Sequence, residues 1–152
     1  MPKRKYSPGT FLRVPLSDGS FGYGRLLEYS YIAFYRYRTV SPDSDLSRIA
    51  SAPVLFKTTV RQLAFDEWEL LGWRELEDHL KQPVILYTQD VGNPRLCTIF
   101  DTAGNERVVE PQECVGLERA IVWEKESIEE RLLDALLGRP NADEEYLRAR
   151  LR

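Results

Sequence analysis

The sequence holds little of the side-chain chemistry from which enzymes and metal centres are built. It has one histidine, His79, in 152 residues, so a single chain cannot assemble a multi-histidine metal site. Its two cysteines, Cys97 and Cys114, are too few for a disulfide framework or a four-cysteine zinc site, and lie too far apart for a redox pair motif. Cys97 sits in a strand-like run and reads as a small buried hydrophobe. No apolar run approaches the roughly 20 residues of a membrane span. The basic start, Lys3-Arg4-Lys5, is not followed by the apolar stretch of a signal peptide. There is no Gly-x-Ser-x-Gly elbow and no phosphate-binding glycine loop. The expectation is therefore a chain with no catalytic set, no metal site and no cofactor, residing in the cytoplasm.

What is present belongs to a folded protein. Hydrophobic residues make up 43% and charged residues 30% of the chain, a composition able to bury a core. The length fits one domain over residues 1–152. Residues 1–124 read as mainly β and residues 125–152 as a helical tail. The net charge of −3 hides an uneven split. Residues 1–40 hold seven Lys or Arg against two acids, a surplus of +5. Residues 61–152 hold twelve basic against twenty acidic side chains, a surplus of −8. Such asymmetry points to charged partners or to two halves of one fold facing each other.

Alternation and β-forming residues predict strands over 11–16, 21–28, 31–39, 54–60, 68–73, 83–88, 96–101 and 106–110. Asp18-Gly19 and Thr102 to Asn105 supply the turns of two hairpins. Gly22 and Gly24, flanking Tyr23, predict a bulge, a bend or a close backbone approach. Ser41 to Pro53 reads as the longest loop. Ser127 with Glu130 reads as a capping box for a helix with Ile128, Leu132, Leu133, Leu136 and Leu137 on its apolar face, stopped by Gly138 and Pro140. Asn141 with Glu144 starts a final helix over 142–151. The fold class is α+β, mostly antiparallel β, as a strongly curved sheet or small barrel with two C-terminal helices.

Six of the eight tyrosines fall before residue 40. Tyr29, Tyr31, Tyr35 and Tyr37 share one parity and Arg36 and Arg38 the other. Aromatics beside basic residues on a curved sheet can stack single-stranded nucleic acid, although a pI near 5.3 argues against a general nucleic-acid binder. Tyr and Arg are equally the residues of protein–protein hot spots. His79 reads as a polar surface residue, and nothing in the spacing of the many carboxylates selects an acid–base pair.

The ordered set of motifs resembles the immunity protein 26 family of bacterial polymorphic toxin systems. It begins with Lys3 to Tyr6, Gly9, Phe11 to Leu16, Asp18-Gly19 and Gly22 to Arg25. It continues through Val54 to Lys57, Trp68 to Gly72, the Pro83 strand ending in Gln89-Asp90, and Glu113 to Glu118. Ala120, Val122-Trp123 and the Glu129, Arg131, Leu132 helix complete it, so the likeness runs over roughly residues 3–138. Thr10 stands where the family is expected to have an acid after Gly9. The resemblance implies a cytoplasmic, non-enzymatic bacterial protein that binds and neutralises a cognate toxin, often a nuclease. Asp18, Tyr23 and Arg25, which cluster around the first hairpin, and Tyr35 and Arg36 of the tyrosine–arginine stripe are the partner-binding candidates, read from the residues and not from the family. The family also carries a phosphotriesterase label, which makes a phosphotriester hydrolase the first alternative, although one histidine suits such an enzyme badly. A single-stranded nucleic-acid binding module is the second.

Overall fold

The computed structural model describes residues 6–151, so the basic start at Lys3 to Lys5 lies outside the described residues. Ten strands among them divide into two open sheets. The first hairpin is β1 (Thr10–Pro15) and β2 (Phe21–Leu26), turned by Asp18-Gly19 with Gly19 at a φ of +85°. β3 (Tyr31–Tyr35) and β4 (Val54–Val60) extend it antiparallel, and β5 (Glu69–Trp73) joins the free side of β1. The second sheet holds β6 (Ile85–Gln89), β7 (Cys97–Asp101) and β8 (Glu106–Val109).

One short segment stitches the two sheets together. Its first part, β9 (Glu118–Arg119), lies parallel to β6; its second, β10 (Val122–Trp123), lies parallel to Thr59 and Val60 of β4. The strand orders are therefore β10-β4-β3-β2-β1-β5 and β8-β7-β6-β9. No closed barrel forms, which corrects that alternative of the expected architecture. The edges β5 and β10 of the larger sheet do not meet, both sheets are mixed, and the α+β class stands.

The glycines of β2 are sites of close approach. A Cβ on Gly22 would sit 2.6 Å from Leu132 Cδ2, and one on Gly24 2.9 Å from Ile32 Cδ1. They admit a helix and a neighbouring side chain. The helix is α3 (Lys125–Leu137), whose Ile128, Leu132 and Leu133 pack on Leu12, Val14, Phe34 and Trp68. Gly22→Ala is expected to lower stability by about 1–3 kcal/mol by overpacking that contact, read as a reduced midpoint in urea unfolding.

α3 begins earlier than expected. Its N-cap is Glu124, not Ser127, and Glu124 gives its carboxylate to Arg61 instead of capping, at 2.6–2.9 Å. It ends as expected, with Gly138 left-handed and the Arg139 N–H returning to the Asp134 carbonyl at 2.8 Å. Asn141 caps α4 (Ala142–Tyr146) by accepting from the Glu144 N–H at 2.9 Å. This helix stops five residues short of the expected Leu151 because the second sheet captures the chain after it. Tyr87 donates to the Leu147 carbonyl at 2.5 Å, and the Gln89 side-chain amide both donates to and accepts from the main chain of Arg150. The expected loop over 41–53 contains one helical turn, α1 (Leu46–Ala50), capped by Asp45 and anchored by buried Ile49. A further single turn, α2 (Leu63–Glu67), buries Ala64 and Phe65.

Candidate partner-binding face

The first hairpin presents a charged, internally braced surface. Asp18 Oδ1 accepts from the Ser20 N–H at 3.0 Å and from its hydroxyl at 2.5 Å, and Oδ2 accepts from Arg38 at 2.8 Å. Arg38 also donates to the Ser20 hydroxyl at 2.9 Å. These hydrogen bonds, Ser20 first and Arg38 second, hold the Asp18 carboxyl far below the usual carboxylate range. A carboxylate with a lowered folded pKa stabilises the protein above its unfolded pKa, near pH 4. That contribution is lost as the pH falls toward the folded value. Asp18→Asn should therefore melt below the native protein at pH 6, and the gap should shrink from pH 4 to pH 2; thermal unfolding across that range checks it.

The loop after β3 is tied down beside the hairpin. Tyr37 donates to Asp43 Oδ2 at 2.5 Å, Arg48 reaches the same oxygen at 3.3 Å, and Arg13 donates to the Asp43 carbonyl at 3.0 Å. The Tyr37 hydrogen bond leads the causes that lower the Asp43 pKa. From this loop Arg36 projects into solvent, with no side-chain hydrogen bond or ion pair among the described residues, and Val40 is 78% exposed. A loop already ordered in this way loses little conformational freedom on binding.

Of the five candidate residues, Asp18 and Arg36 are exposed. Tyr23, Arg25 and Tyr35 are 0% exposed and lie beneath the hairpin surface. The Tyr23 hydroxyl lies 2.6 Å from Thr39 Oγ1 and accepts from the Asp43 N–H at 3.0 Å, so it fixes the loop from beneath. Arg25 is fully occupied. It donates to the carbonyls of Gly9, Arg74 and Glu75 at 2.8–3.0 Å and to Glu77 at 2.6 Å, and lies over the Phe11 ring at 4.1 Å. Tyr35 closes the set at 3.4 Å, and burial raises its phenol pKa. Gly9 is required beside it: its φ is +101°, and a Cβ there would lie 2.2 Å from the Arg74 carbonyl oxygen.

The charge split resolves differently in each half. Arg13 pairs with Glu69, Arg25 with Glu77 and Arg38 with Asp18, so Arg36 is the free guanidinium among the described residues before residue 40. In the acidic half, Glu126 and Glu130 stand four residues apart on the exposed side of α3 without a basic partner among the described residues, and Asp143 and Glu145 are likewise exposed and unpartnered on α4. The tyrosine stripe is not uniformly exposed. Tyr35 is buried, the Tyr37 hydroxyl is engaged, and Tyr29 lies on a 3-10 turn with a φ of +60°.

His79 is exposed on another 3-10 turn, and no group of three His, Cys, Asp or Glu among the described residues is placed to hold a metal ion. Cys97 and Cys114 are free thiols in one core cluster with Tyr87 and Val109. Burial, then the neighbouring Cys97, pushes the Cys114 pKa up to about 11, which disfavours the thiolate.

Sequence reasoning assigned no role to one buried ion pair. Arg131, on α3, makes two 2.8 Å bonds to Glu118 of β9, which also accepts from Thr58 at 2.8 Å. The Arg131 guanidinium lies 3.8 Å from the Phe56 ring centre and 4.9 Å from that of Trp123. Two buried donors here, Trp123 Nε1 and Arg131 Nε, have no hydrogen-bond acceptor, a cost of about 1–3 kcal/mol each. Both Glu118 and Arg131 stand in the family-like motifs, so the pattern marked them while giving no sign that they meet.

Residues 7–98, more than half of the chain, match the family model described as Immunity protein 26. The motifs noted at Glu113 to Trp123 and Glu129 to Leu132 fall beyond the matched residues. No curated protein and no solved structure gives a significant match.

Proposed function

The chain belongs to the immunity protein 26 family, and from that we propose that it binds and neutralises a cognate toxin of a bacterial polymorphic toxin system, without catalysis of its own. The family match over residues 7–98 carries this reading. The toxin is a nuclease in the proposal, because unpartnered carboxylates on the helices, Glu126 and Glu130 foremost, would complement a basic nucleic-acid cleft. Asp18 and Arg36 add contacts from the hairpin face, and Tyr23, Arg25 and Tyr35 hold that face in shape.

Co-expression with the toxin encoded beside the gene tests the reading. Growth should be restored by the native protein. In purified form, the Glu126→Lys, Glu130→Lys double variant should associate about tenfold or more slowly at low salt while melting as the native protein does. Failure of the native protein to restore growth would overturn the proposal. An unchanged association rate in the double variant would move the interface off α3.

A further inference from the structure

The seam between the two sheets forms a cleft that the toxin-binding reading does not use. β10 covers only Thr59 and Val60, so the Val54–Lys57 half of β4 has no strand on its outer side. Opposite it stand Ile85 and the residues leading into β9, and the chain after α4 closes the far end. The cleft has a volume of about 830 Å³, within the usual size of small-molecule sites. Its walls are apolar at Leu55, Phe56, Ile85, Leu117 and Leu147.

The polar groups of the cleft are unbalanced toward positive charge. Lys57, Arg119 and Arg148 line it, and among the described residues none of the three makes an ion pair with a carboxylate. The Lys57 ammonium donates only to the His79 carbonyl, at 3.4 Å, and burial lowers its pKa. Arg119 donates to the Gln89 carbonyl at 3.0 Å. The two acids of the lining do not answer them: Glu118 is held by Arg131 through both oxygens, and Glu144 lies 3.9 Å from Arg131 Nε. Trp123 and Arg131, with their unsatisfied donors, form part of the same wall.

We propose that this cleft binds a small amphipathic carboxylate, its apolar body against Phe56, Ile85 and Leu117 and its head drawn to Lys57, with Arg119 and Arg148 adding positive charge. A partly desolvated lysine without a counter-ion beside an apolar surface favours an anionic head over a neutral or cationic one. The site is separate from the toxin-binding reading and stands or falls independently of it.

Calorimetric titration of the full chain with decanoate and, separately, with decyltrimethylammonium tests the proposal. Decanoate should fill one saturable site at least tenfold more tightly than the cation of equal chain length, and should shift the indole N–H resonance of Trp123. Lys57→Met should weaken decanoate binding at least tenfold, and Ile85→Glu should abolish it. Both residues are partly or largely exposed, and unchanged melting would certify the fold of each variant. Absence of saturable decanoate binding, equal affinity for the two ions, or native affinity in both variants would overturn the proposal.

Discussion

Arg25→Met is expected to destabilise the protein by about 3–5 kcal/mol, the usual cost of removing one partner from a buried charge network. Arg25 is wholly buried and bonds three main-chain carbonyls and Glu77 across the chain. Removing the guanidinium leaves the carbonyls of Gly9, Arg74 and Glu75 without this donor. The segment after β5 would lose its attachment to β2. A compensating change at Glu77 should recover little, because a carboxylate is only one of the five acceptors and is itself partly exposed. Arg25→Lys should also fail, since a single ammonium cannot reproduce the planar fork. Urea unfolding of the single variants and of Arg25→Met with Glu77→Leu reads all three results.

The second large effect concerns Arg131 and Glu118, and the outcome of pairing the changes should be the opposite. Arg131→Met is expected to cost about 3–5 kcal/mol by leaving the mostly, though not fully, buried Glu118 without its cation. Here the arginine bonds a single carboxylate and lies against Phe56 and Trp123. Replacing both members with apolar residues of similar size, Arg131→Met with Glu118→Leu, should restore much of the loss, because no main-chain acceptor is orphaned and the Arg131 Nε donor is removed. Thr58 would lose its acceptor and limit the recovery. A double-mutant cycle in urea separates the pairwise coupling from the single losses.

The contrast between these two arginines shows where sequence reading stops. Local rules located most elements: strand β4 falls at its expected residues, Asp18-Gly19 turns the first hairpin, and Gly138 ends α3. Local rules failed where distant groups competed for the same atoms. Glu124 starts α3 and pairs with Arg61, so the capping signal at Ser127 is inside the helix. Gln89 and Tyr87 engage the chain after α4, which shortens that helix. The stitching of two sheets by two-residue parallel pairings has no local signature.

The candidate site was legible in the same uneven way. Asp18, Tyr23 and Arg25 lie on or beside the first hairpin, and Tyr35 and Arg36 follow on the neighbouring strand and loop. Burial then divided them, because an arginine among strands can face solvent or bind main-chain carbonyls, and its own sequence does not distinguish the two. Counting charges by segment overstated the basic half for the same reason, since Arg13 and Arg25 are paired with acids from later in the chain.

The central claim, that this chain acts by binding a toxin, is met most directly by titrating the purified protein into the purified toxin domain encoded beside its gene while following both the heat of binding and toxin activity. A saturable one-to-one complex is expected, with activity falling in proportion to occupancy. No binding heat, with toxin activity undiminished at saturating protein, would contradict it.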